Sequence, residues 1–271
     1  MASRRAPLAA LCFALGICVV FETCSLAAEA GSGVRSISLA GLGVETGLVL
    51  LALAGALLSS RPLGASLGLL PSALTRGRLL LLVIGTLALS HALDCVLELS
   101  GLREDSALAA LDEALLGARG AELMLALVAM AGAPAFGEEL LCRGWIQRGL
   151  APRIGPGRAV AVAALIFGLL HLDPVHALFA VFLGLYLGTI ASWAGSTWPS
   201  ILCHGVNNAL AVLLASGLAG GPAHSTLGAV LGFAVAGGAL LAARPRRRDS
   251  PADSAQRSGE DLQPDARSDD P

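Results

Sequence analysis

The chain has 271 residues, 55% of them hydrophobic and 14% charged, with a mean hydropathy of +0.73. Such a balance excludes an ordinary water-soluble globule and selects a membrane protein. The formal charge of -2 points to no nucleic-acid or acidic partner, and that the basic side chains are all arginine assigns no function.

Aromatic residues make up only 4%, which suits helices that pack closely through small side chains. Six cysteines, Cys12, Cys18, Cys24, Cys95, Cys142 and Cys203, form no Cys-x-x-Cys pair. They suggest neither a disulfide framework nor a structural zinc site and read as small buried apolar side chains.

A bilayer core needs ~20 mostly apolar residues per helix. By that measure eight spans are predicted, approximately Leu8 to Cys24, Ile37 to Leu58, Leu79 to Leu99, Ala121 to Leu141, Ala159 to Leu172, Val175 to Trp193, Trp198 to Ser216 and Thr226 to Ala243. The fold class is therefore all-α, a polytopic transmembrane helical bundle.

The connecting segments sort by charge. Arg4 and Arg5, then Arg61, Arg76 and Arg78, then Arg143, Arg148, Arg153 and Arg158, and finally Arg244 and Arg246 to Arg248 fall on alternate loops. The other loops are poor in arginine or acidic, as with Glu104, Asp105, Asp112, Glu113 and Glu122. The positive-inside rule then puts both termini in the cytoplasm, in keeping with a multi-pass plasma-membrane protein. Arg4, Arg5 and the short apolar run before Leu26, Ala27 and Ala28 also resemble a signal peptide, whose removal would leave seven spans. From Arg244 to Pro271 bulky apolar residues almost vanish, and a disordered tail is expected.

Ionisable residues inside a bilayer are costly, so each is a candidate functional site. Three clusters occur in the second half. Glu138, Glu139 and Arg143 sit at the predicted end of the fourth span. Glu139 and Arg143 are four apart and can pair along one helix face, leaving Glu138, about 100° around the helix, free to take a proton. Phe167 and His171 are four apart at the end of the fifth span. His204 and Asn208 share a face of the seventh, with Asn207 expected to point elsewhere. An interfacial acidic pair, a packing histidine and interhelical hydrogen bonding each account for one cluster. Three on neighbouring helices are harder to explain by packing. At ~1.5 Å per residue, Glu138 lies roughly 15 Å along its helix from Arg148 and His204 roughly 12 Å from Ser196. His171 lies about 20 Å from Arg158, so the fifth helix must tilt or begin above the bilayer surface.

Glu-Glu-x-x-x-Arg, Phe-x-x-x-His and His-x-x-x-Asn, in this order on successive helices, resemble the CPBP family of intramembrane peptidases, the type II CAAX prenyl endopeptidases also called ABI proteins. The likeness includes Leu183-Gly184 and Gly195 to Ile201 and covers approximately Ala121 to Leu214. It divides the chain into N-terminal helices (1–120), a catalytic core (121–243) and a tail (244–271). It implies an endopeptidase that cleaves near the C-terminus of a membrane-associated protein, which in the eukaryotic relatives is prenylated. Glu138 and His171 would activate a water, with Glu138 the general base. His204 and Asn208 would contact the oxyanion, and Glu139 and Arg143 would hold the site's shape. Lipid bilayer and a peptide or lipidated protein are the implied partners, with no cofactor; the oligomeric state is left open.

Rival readings remain at this stage. Glu138, His171 and His204 are all permissible zinc ligands, although no His-Glu-x-x-His helix is present. Glu45, His91, Asp94 and Glu98 lie in the second and third spans without a peptidase role and admit a transporter. A non-enzymatic membrane protein of the bacteriocin-immunity kind is the third possibility.

Overall fold

The computed structural model describes residues 2–29, 33–218, 220 and 223–245, and among these the regular structure is helical throughout. Ten helices follow in chain order: α1 (Ala2–Glu29), α2 (Val34–Leu58), the short α3 (Leu63–Ser66), α4 (Arg76–Leu99), α5 (Ala107–Leu115), α6 (Gly120–Ile154), α7 (Pro156–Leu169), α8 (Pro174–Ala194), α9 (Trp198–Ala215) and α10 (Thr226–Ala243). Six of them, α2, α4, α6, α8, α9 and α10, are long and apolar enough to cross a membrane. Leu8–Val20 of α1 and Pro156–Leu169 of α7 are shorter apolar helices. The protein is a polytopic helical bundle, as the sequence predicts.

Local chemistry sets the helix ends. Thr75 and Ser225 cap α4 and α10 by accepting from the amides of Arg78 and Gly228. Asp173 caps α8 by accepting from the His176 amide at 2.6 Å, with Pro174 in the first turn, where its missing N–H costs nothing. At the far end of α8, Gly195 takes a left-handed φ of 59°.

The fourth predicted span departs most from expectation. It does not stop at Leu141 but runs for 35 residues to Ile154, so Glu138 lies in mid-helix rather than at an end. Pro134 and two π-helical stretches, Leu127–Gly132 and Leu140–Gln147, interrupt its ladder on either side of the Glu-Glu pair. Apolar length continues past the arginines because Arg143 is fully buried and Gln147 is 5% exposed, so neither marks an interface.

The bundle core is built from leucines of α4, Leu82, Leu89 and Leu93, against Tyr186, Leu187 and Ile190 of α8. A second cluster joins Leu48, Ala52 and Ala56 of α2 to Leu140 and Leu141 of α6, so the N-terminal helices pack on the segment that carries Glu138 and Glu139. Outward-facing leucines such as Leu80, Leu165, Leu169 and Leu241 are exposed, as a lipid-facing surface requires.

Hydrogen bonds identify the two ends of the bundle. At one, Arg5 donates to the Arg61 carbonyl, Thr197 N–H to Gly68 O at 2.9 Å and Arg148 to Gly195 O at 2.5 Å. At the other, Asp173 accepts from the Ala107 amide at 3.3 Å, and Ser216 O accepts from Gly117 N–H at 3.2 Å and Arg119 at 2.7 Å. The first end holds the arginine-rich connections and the second the acidic loop.

Of the cysteines, Cys95, Cys142 and Cys203 are buried, whereas Cys12 is half-buried and Cys18 exposed on α1, contrary to the expectation that all would be buried. Cys24's side chain and the tail from residue 246 onward lie outside the described residues.

Candidate active site

The site begins with a helix that cannot close its own ladder. Pro134 has no N–H to offer the carbonyl four residues back, so Met130 O is left without its helical donor. The Asn208 amide of α9 fills that place, donating to Met130 O at 3.2 Å. The same nitrogen lies 3.1 Å from His204 Nε2. With Asn208 as donor, His204 Nε2 is the acceptor and Nδ1 carries the proton, which points to Glu139 Oε1 at 3.1 Å.

The same Glu139 oxygen, Oε1, also accepts from Arg143 at 2.6 Å, a pair whose side chains are both 0% exposed. Arg143 also donates to Gly184 O at 3.0 Å, and its guanidinium lies 4.3 Å over the Phe167 ring. The i, i+4 pairing predicted for Glu139 and Arg143 is therefore present, and Glu138 stands outside it as expected. Charge on charge at zero exposure is tolerated because each partner also meets hydrogen bonds or a π-face.

Glu138 is buried, and its Oε2 has no hydrogen-bond partner within the protein. Its nearest cationic-capable neighbour is His204, whose Nε2 is 3.8 Å from Oε2. Glu45 of α2 approaches from the opposite wall: it is 7% exposed, and its Oε2 is 2.4 Å from where a Cβ on Gly137 would stand. Only a glycine before Glu138 admits that contact. The acidic residue in the second predicted span thus acquires a place beside the site. Its membrane depth was the only sign of this in the sequence.

His171 joins less directly. Its Nδ1–H donates to Phe167 O at 3.0 Å, leaving Nε2 unbonded, and its ring meets Phe167 edge-on at 5.2 Å. Phe167 in turn meets the His204 ring at 5.6 Å. Among the described residues no hydrogen bond or ion pair links His171 to Glu138; the Phe167 ring touches both the His171 and the His204 imidazoles. His176 of α8 packs on His171 at 4.2 Å between centroids, a neighbour that the sequence pattern does not announce.

The turn presenting His171 is constrained. Leu172 has φ of 59°, a left-handed conformation uncommon for a leucine, and Asp173 follows with its two backbone bonds. The His176 amide and, opposed by partial desolvation, the Ala107 amide hold the Asp173 carboxyl below its ordinary range. His171 therefore lies toward the acidic-loop end of the bundle.

One expectation is corrected in detail. Asn207 is 8% exposed and donates to Asn208 Oδ1 at 3.2 Å, so it does not point away from the site. The turn from 207 to 208 brings the two amides side by side, and Asn207 fixes which way the Asn208 amide faces.

Of the candidate zinc ligands, His204 has both ring nitrogens engaged, and no group of three or more His, Cys, Asp and Glu side chains that could hold a metal ion occurs among the described residues. The acidic and His residues of α4 that admitted a transporter also have partners. Arg103 pairs with Asp94 and Asp112 and stands 3.7 Å from Glu98, and His224 lies 2.7 Å from Asp94. They tie the end of α4 to neighbouring loops.

Comparison with curated proteins and with solved structures gave no match. A family model does match, described as type II CAAX prenyl endopeptidase Rce1-like, over residues 120–210. That stretch begins where α6 begins and contains Glu138, Glu139, Arg143, His171, His204 and Asn208. Over this segment the chain is similar to the type II CAAX prenyl endopeptidases, which supports the resemblance to the CPBP family read from the sequence motifs.

Proposed function

We propose that this protease is an intramembrane endopeptidase of the glutamate type, with Glu138 as general base and no metal or other cofactor. The observation that carries the reading is a buried Glu138 carboxylate with one unbonded oxygen, beside a histidine and asparagine already held in place by a second acid and an arginine. A base that must take a proton from water needs a free oxygen, and its neighbours need fixed orientations.

In this mechanism His171 positions the water through its unbonded Nε2, and Glu138 accepts the proton as the water attacks the peptide carbonyl. The Asn208 hydrogen that rests on His204 Nε2 turns to the developing oxyanion, and Glu138 returns its proton to the leaving amine. Glu139 and Arg143 act as positioning residues: they set the His204 tautomer and hold α6 against α8. Residues 121–243 form the catalytic part, 1–120 supply the Glu45 wall, and 244–271 serve as a tail. The substrate is a peptide or lipidated protein cut near its C-terminus at the bilayer, and the arginine-rich end of the bundle faces the cytoplasm.

The test is a cleavage assay with the purified full chain on lipidated and unlipidated peptides. Glu138→Gln and His171→Ala are each expected to lower kcat by roughly 10²–10⁴-fold, the usual range for a lost acid–base group. Full activity of Glu138→Gln, or inactivation by chelator reversed by zinc, overturns the reading.

A further inference from the structure

The arginine-rich end contains a feature that peptide hydrolysis does not use. A cavity of about 240 Å³ opens between α6, α8 and the turn after α2, lined by Arg61, Arg143, Gln147, Arg148, Ser192 and Gly195 among others. Guanidinium groups supply three of its walls, and no carboxylate lines it. Arg61 and Arg148 have no Asp or Glu within ion-pair distance among the described residues; the Gly195 carbonyl holds Arg148 instead, at 2.5 Å. Arg143 forms the inner wall. Its terminal nitrogens are committed to Glu139 and Gly184 O, but its Nε is buried without a partner in the protein.

Like charges gathered around one hollow repel, so an anion among them lowers the energy of the whole arrangement. Guanidinium forks match phosphate oxygens in pairs. The position selects the source of that phosphate. Trp145, packed on Gly55 of α2, and Trp198, which opens α9, are both partly exposed at this same end of the bundle. Such aromatics settle at headgroup level. The cavity is also smaller than the roughly 300–1,000 Å³ of a site that encloses a drug-sized ligand. It accommodates a headgroup while the acyl chains lie along apolar helix faces outside, where Leu58 is exposed.

We propose that this cavity binds the phosphate of an anionic phospholipid headgroup, with Arg61 and Arg148 as the guanidinium ligands and the buried Arg143 adding its charge from the wall. Basic pockets between spans are the usual means by which membrane proteins hold such headgroups. Because Arg143 lines the cavity and pairs with Glu139, the bound headgroup sits beside the positioning pair of the proposed catalytic site.

The full chain in neutral detergent is titrated with dioleoylphosphatidylglycerol, dioleoylphosphatidylcholine and inorganic phosphate, and bound molecules are counted by native mass spectrometry. Phosphatidylglycerol is expected to bind about tenfold more tightly than phosphatidylcholine. Arg61→Gln and Arg148→Gln are each expected to weaken it roughly fivefold. Arg158→Gln, an exposed change at the same end but outside the cavity, leaves binding unchanged. Arg61 lies on an exposed turn, so its variant tests the site even if Arg148→Gln fails to fold. Equal loss with Arg158→Gln overturns the proposal in favour of diffuse charge attraction. No preference between the two lipids overturns it outright, and inorganic phosphate displacing phosphatidylglycerol at equal affinity overturns the lipid assignment.

Discussion

Glu138 and Glu139 are adjacent and chemically identical, yet their surroundings predict opposite responses to neutralisation. Glu139 is joined to Arg143 and His204 at zero side-chain exposure, so Arg143→Leu strands a buried carboxylate. A loss of roughly 3–5 kcal/mol is expected, read as a lowered melting temperature in detergent. Glu138 has no ion-pair partner closer than 3.8 Å, and Glu138→Gln should leave the melting temperature within a few degrees of the native protein while abolishing cleavage. Asp173 supplies a pH dependence outside the membrane. Its folded pKa is depressed, chiefly by the His176 amide, so its capping contribution is complete above the unfolded value of ~3.9 and is lost as pH falls through the lower folded value. Protection of the first amides of α8, measured against their intrinsic exchange rates, should therefore fall in acid below about pH 4, and Asp173→Asn should remove that step.

At the scale of single helices, α6 decides the site. Pro134→Ala restores an N–H opposite Met130 O and competes with Asn208 for it. The expected result is a helix at least as stable, with cleavage lowered about tenfold, the worth of one well-placed hydrogen bond. The loss should fall on kcat rather than KM. Gly137→Ala places a methyl 2.4 Å from Glu45 Oε2 and 3.1 Å from its backbone carbonyl, so the Glu45 carboxylate must swing aside and α2 must give by a few tenths of an ångström. A cost of about 1–3 kcal/mol is expected, measured by thermal unfolding. The spacing of Glu139 to Arg143 and of His204 to Asn208 was legible because neighbours four apart meet on any helix. The π-helical turns were not, since they arise where Pro134 and the contacts of α6 with α2 and α9 outweigh the regular ladder.

For the molecule as a whole, the alternation of arginine-rich and acidic connections predicts which side of the membrane each end occupies. Reporter fusions after residue 243 should report the cytoplasm and fusions in the Glu104–Asp105 loop the opposite side. Identical signals from both would overturn the orientation. The structure agrees with the alternation in one respect: Arg5, Arg61, Arg148 and Gly195 gather at one end, while Asp173, Arg119 and Ser216 bind at the other. By itself the sequence determined the class of fold, the segments that become helices and the residue pairs that share a face, because apolar length and helical period are local properties. Tertiary structure alone decided that Glu45 reaches the site, that Asn207 braces Asn208, that α6 runs through to Ile154, and that one Phe167 ring touches both His171 and His204. Each depends on how helices distant in sequence approach one another, and that is set by small residues, buried charge and unpaired carbonyls acting together.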